Sequence, residues 1–211
     1  MLAFVVGATY VGAEWSRSMV TLLFWEPRRL RAVGVKTIVA AGAGGSLAAV
    51  GQLGWVALGR ALAATRGTSA CLPADFWPDY AGQGARAVLL GVLASLLGFG
   101  LANLIRNTGA ALGVGFAYFA AIESAVRGLR PGLHPYLVTD NSTALLVDGG
   151  LSVFVPQPIF DEFGVQQFRE IVVSNLRGGV TLTTYTLVLL AVGSWLFRRP
   201  TCTDLQPRGS R

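Results

Sequence analysis

Four stretches of this chain, residues 37–59, 86–105, 108–126 and 179–197, are almost free of charge. Each is close to the roughly 20 helical residues that cross a hydrocarbon core of about 30 Å. Inside such a core no water can satisfy a backbone N–H or C=O, so a lone crossing segment has to be a helix. The pattern therefore predicts an all-α, polytopic membrane helical bundle that forms one transmembrane domain over residues 1–211. Composition agrees: charged residues make up 13% of the chain, against about 25% in a soluble domain. The 27 glycines suit helices that must approach one another closely.

The segments between these runs define the rest. Residues 1–13 are apolar but too short to cross, and they lack the basic start and cleavage site of a signal peptide. They are expected to be the second half of a span whose beginning is missing, a partial N-terminal span. Residues 14–36 carry Arg17, Glu26, Arg28, Arg29, Arg31 and Lys36. In their first half Trp15, Met19, Leu22 and Leu23 share one face of a helix, and Pro27 ends it. The expectation is an amphipathic helix at the membrane surface followed by a basic turn. Residues 60–85 read as a polar loop with Trp77 and Tyr80 suited to an interfacial belt. Arg106 and Asn107 leave room only for a tight turn, so the two spans around them form an antiparallel hairpin. Within the long segment 127–178, Phe163, Gln167, Phe168, Ile171 and Val172 fall at helical spacing. Asp161 and Glu162 would sit in its favourable first turn, which predicts a short surface or partly inserted helix over residues 161–175.

Charge placement orients the bundle. With residues 14–36 inside, alternation also places Arg106 and the C-terminal tail inside. Ten basic residues then lie inside (Arg17, Arg28, Arg29, Arg31, Lys36, Arg106, Arg198, Arg199, Arg208 and Arg211), over about 39 residues. The other seven lie over about 78 residues outside, with eight of the eleven acidic residues. This is the sign of the positive-inside rule, and it explains the net charge of +6 without nucleic acid. The orientation puts Cys71 and Cys202 on opposite sides of the membrane, which excludes a disulfide between them.

The stretch Gly12-Ala13-Glu14-Trp15, a helix-length gap, Pro27-x-Arg29-x-Arg31 and Lys36 at the head of the next span resembles the permease subunits of the ABC-2 type transporter family. The match is specific over residues 12–36 and loose elsewhere. Ser18-Met19 stands where the family commonly has Gly-Thr, and the gap to the proline is about one residue shorter. The first of the usual six spans is absent or reduced to a stub. What the resemblance implies is a half-transporter in a bacterial plasma membrane, with a cytoplasmic C-terminus and two partners: a separate ATP-binding cassette ATPase and a second permease subunit, in a homo- or heterodimer. The helix over residues 14–24 would dock on the ATPase through Glu14, Arg17 and Thr21, with Arg29 and Arg31 beside it. Export is the direction that the resemblance suggests.

The chain cannot hydrolyse ATP through a Walker A loop, because its one lysine, Lys36, follows Val35 rather than glycine. Two polar residues in spans are candidates for a pathway or for helix contact: Gln52, and Glu123 with Arg127 one turn on at i+4. Gly109-xxx-Gly113 marks a candidate helix-contact face. His134 has no Cys or acidic residue at ligand spacing, so no metal site is expected. Asp140, Asp148, Asp161, Glu162 and Glu170 share no spacing that suggests catalysis, and neither a cofactor nor an enzymatic site is expected. The competing reading is a non-transporting membrane scaffold or immunity-type protein anchored to lipid headgroups by residues 14–36.

Overall fold

The computed structural model describes residues 1–16, 29–67, 75–160 and 166–198. Among these residues six helices and one β-hairpin follow in order: α1 (Leu2–Ser16), α2 (Arg29–Arg66), α3 (Phe76–Ile105), α4 (Thr108–Leu129), a 3-10 turn (Pro131–Tyr136), α5 (Val138–Leu146), β1 (Leu151–Phe160), β2 (Gln166–Val173) and α6 (Asn175–Arg198). Four of them, α2, α3, α4 and α6, are long and apolar enough to cross a membrane, and α1 is a shorter apolar helix. The expected membrane helical bundle is thus present, and the chain is a candidate multi-pass membrane protein.

The helices outrun the apolar stretches. At about 1.5 Å per residue, α2 is roughly 57 Å long, well beyond a hydrocarbon core. It begins at Arg29, so Arg29, Arg31 and Lys36 lie on its first turns and not in a basic turn. Its other end reaches Arg66, and α3 starts at Phe76, which leaves little of the expected 60–85 loop. Ala, Leu and Arg are strong helix formers, and extending an existing helix avoids the cost of nucleation. The Arg60 guanidinium lies 4.6 Å from the Trp77 ring centroid and ties these two ends together.

α3 is the hub and packs against all five other helices. A stripe of small residues runs along it: Gly91, Ser95, Gly98 and Ala102. A Cβ at Gly98 would come 2.1 Å from the Phe4 carbonyl oxygen of α1, and one at Gly7 of α1 would come 1.9 Å from that of Ser95. On the neighbouring side, a Cβ at Gly44 of α2 would lie 2.5 Å from the Gly91 carbonyl oxygen. The Ser95 hydroxyl donates to the Ala40 carbonyl of α2 at 2.8 Å, so this fully buried side chain joins three helices. Phe4 fills the remaining space against α4, its ring over Gly115 and edge-on to Phe119. Beyond Ala48, α2 turns Val50, Leu53, Trp55 and Leu58 outward, which suits lipid contact.

The turn between α3 and α4 is as tight as expected. Arg106 takes the left-handed conformation (φ 58°) and donates its N–H to Ala102, while Asn107 caps α4 by accepting from Ala110 at 3.0 Å.

The described part of the expected 161–175 helix is a strand. Gln166–Val173 pairs antiparallel with β1, Val153 opposite Ile171 and Val155 opposite Arg169, while residues 161–165 lie outside the described residues. Over so short a run, helical spacing and strand alternation are hard to separate. Ile171, Val172 and Val173 are β-branched, and the facing segment is rich in valine, which favours the ladder. Helix α5, from a stretch with no assigned helix, is instead the one that packs into the bundle. Its Leu145 meets Leu93 of α3 and Leu182 of α6, seven residues inside α6.

Candidate functional site

At the end of the bundle where α4 gives way to α5, four ionisable side chains meet. The local cause begins in α4. Residues Tyr118–Ile122 form a π-turn, in which Glu123 donates its backbone N–H to Tyr118, five residues back. One inserted residue advances the helix by about 100°, and such turns mark functional positions often. Beyond it, Glu123 points into the protein with 1% of its surface exposed, while Ile122 beside it is 52% exposed.

The Glu123 carboxylate is held from α5. Thr139 donates its backbone N–H to Oε1 at 3.1 Å and its hydroxyl to Oε2. Tyr118 sets its phenol beside the same group. Arg127 is 3.7 Å from Oε2, the expected i+4 pair, but its closer partner is Asp140, with Nη2 to Oδ1 at 2.6 Å. The other oxygen of Asp140 accepts from His134 Nδ1 at 2.7 Å. Asn141, fully buried, donates to the carbonyls of Pro135 and Leu137, and so locks the 3-10 turn to α5.

Three further contacts fix α5. Asn175 at the start of α6 donates to the carbonyls of Ala144 (2.8 Å), Leu145 (3.3 Å) and Val147 (2.7 Å). Tyr185 of α6 donates its hydroxyl to the Tyr136 carbonyl at 2.9 Å. Arg86 of α3 pairs with Asp148 just after α5.

The sequence-derived candidates fall in different places. Glu123 is in the cluster, and its surroundings differ from the simple ion pair expected. His134 and Asp140, six residues apart, were each read as isolated, and a 3-10 turn followed by a helix brings them together. Gln52 is half-buried on α2, which contributes nothing to the cluster. Among the described residues, Gly113 has open space around it and Gly109 has only Asn107 nearby, so neither meets another helix there. That role on α4 belongs to Gly115, because the contact is made by the Phe4 ring at one height only. Arg31 is exposed on the first turn of α2. Glu14 lies on the last turns of α1 and Arg29 opens α2. Arg17 and Thr21, with most of the expected amphipathic helix, lie outside the described residues. The signal that marks the cluster in sequence is the polar run Thr139-Asp140-Asn141-Ser142-Thr143 shortly after a span that ends in Glu123-x-x-x-Arg127.

No protein-family model, curated protein or solved structure matches this chain.

Proposed function

We propose that the chain is the membrane-spanning permease subunit of an ABC-2 type exporter in a bacterial plasma membrane, driven by a separate ATP-binding cassette ATPase. A second permease subunit completes the pathway, and the C-terminus is cytoplasmic. The Gly12–Lys36 spacing suggests the family, and the arginine asymmetry supports the orientation. The observation that carries the mechanism is the wedging of α1 and α2 onto α3 around Ser95, with backbones in direct contact. The segment between α1 and α2 is continuous with both. A push on that segment from the cytoplasm would therefore reach the hub helix with little loss, since close-packed helices move as rigid bodies.

Reversing two charges tests the docking. The doubly substituted Glu14→Arg, Arg17→Glu protein is expected to insert and stay monodisperse, yet to lose co-purification with an ATP-binding cassette ATPase from membranes of the native cell. Unchanged co-purification and ATP hydrolysis would reject coupling through this helix and favour a non-transporting scaffold. Orientation is tested separately in a background without Cys71 and Cys202. Thr68→Cys is expected to react with an impermeant thiol reagent in intact cells, and Asn107→Cys is not.

A further inference from the structure

The ionic cluster at the α4–α5 joint does not balance. Two carboxyl groups, Glu123 and Asp140, face a single guanidinium, Arg127. One proton on His134 makes the sum zero. An uncompensated charge among groups this buried is costly, and binding a proton removes that cost. The side chains of Arg127 and His134 are 37% and 18% exposed, against 1% for Glu123 and 10% for Asp140, so of the members that can take up a proton His134 is the most open to water.

We propose that this cluster is a binding site for a single proton, held by His134 against Asp140, and that its occupancy controls how firmly α5 is docked in the bundle. With the proton bound, Asp140 lies between two cations, Arg127 and imidazolium, and Glu123 keeps both donors of Thr139. Without it, one guanidinium serves two carboxylates, 2.6 Å from one and 3.7 Å from the other. The Nε of Arg127 is buried without a hydrogen-bond partner among the described residues, and its Nη2 is the atom that faces both carboxylates. A proton that binds the docked form preferentially stabilises it by mass action. Mild acid therefore locks α5 and mild alkali loosens it.

The other groups around the imidazole are accounted for. From α4 come Tyr118, Glu123 and Arg127, and from α5 comes Asp140. Strand β1 also touches the 3-10 turn and carries no ionisable side chain. α6 presents Tyr185 to the backbone of Tyr136. Arg130, at the start of the turn, is exposed. His134 is the one histidine of the chain.

The test uses the purified full-length protein in lipid nanodiscs, without an ATPase or substrate, so its result does not depend on the transport reading. In a background lacking Cys71 and Cys202, Ala144→Cys places a thiol on the buried face of α5. Its labelling rate by a maleimide is divided by that of Ser152→Cys, exposed on β1, which cancels the pH dependence of the reagent. The relative rate is expected to rise about fivefold or more from about pH 5.5 to about pH 8, the lower end of ordinary coupling between sites. His134→Gln and Asp140→Asn should each remove that pH dependence. Tyr185→Phe, which loosens the same turn but leaves Glu123, Arg127, His134 and Asp140 in place, should raise the rate at both pH values and keep the ratio between them. A relative rate equal at the two pH values would overturn the proposal. So would pH dependence that survives His134→Gln, or that disappears in Tyr185→Phe.

Discussion

The middle of α3 and the α4–α5 joint hold helices together by opposite means. Around Ser95 the contact is made by what is missing, since Gly7, Gly44, Gly91 and Gly98 let backbones touch. At the joint it is made by what is present, two carboxylates, a guanidinium, an imidazole and the donors of Thr139. Lipid tails are as apolar as leucine, so hydrophobic burial gives helices in a bilayer little reason to associate. Close packing and polar bonds remain, and this chain uses one in each region. The two should also fail differently: the first by overcrowding, the second by leaving buried groups unsatisfied.

Gly98→Leu should do the most damage. Its side chain has nowhere to go between α3 and the Phe4 carbonyl, and α1 would be expelled at a cost of about 3 kcal/mol or more. Loss of the monodisperse peak on size-exclusion chromatography in detergent is the expected outcome. Gly113→Leu, on open surface, should leave that peak intact. If both variants behave alike, close packing at the centre is not what holds the hub.

At the joint, Glu123→Leu strands the two donors of Thr139 and is expected to cost roughly 3 kcal/mol, the lower end for breaking a buried charged pair. Glu123→Gln can still accept one of those bonds and should recover part of the loss, both read as thermal denaturation midpoints. Equal losses for the two substitutions would mean that volume, not hydrogen bonding, matters there.

Asn175→Ala removes the donor shared by three carbonyls at the end of α5. We expect a loss of roughly 1–2 kcal/mol, read as a lower thermal midpoint, with faster labelling of Ala144→Cys. Ser95→Ala should have the smallest effect. It deletes one interhelical bond but keeps the small side chain, for a loss of about 0.6 kcal/mol. A large effect from Ser95→Ala would erase the contrast, because the centre too would then depend on polar bonding.

How much of this was legible beforehand varies with the range of the interaction. The four long helices and the Arg106–Asn107 turn follow from local composition and were readable residue by residue. Glu123 stood out because a carboxylate in a span is rare. His134 and Asp140 did not stand out, because their spacing fits no single regular element. The strand Gln166–Val173 is ambiguous in sequence, since eight residues with four apolar members satisfy either period and only pairing with Leu151–Phe160 decides between them.

The sequence by itself determined that the chain is a bundle of membrane-length helices, that α3 and α4 meet in a tight turn at Arg106–Asn107, and which residues are small enough for backbones to meet. These depend on the cost of burying a peptide group in hydrocarbon, a property of each segment alone. Only the tertiary structure decided which glycines are used, Gly98 and Gly115 but not Gly113, and which polar residues share a site. It also decided that residues 166–173 form a strand and residues 138–146 an inserted helix. Those outcomes depend on the phase of one helix against another, and a single π-turn in α4 resets that phase by about 100°.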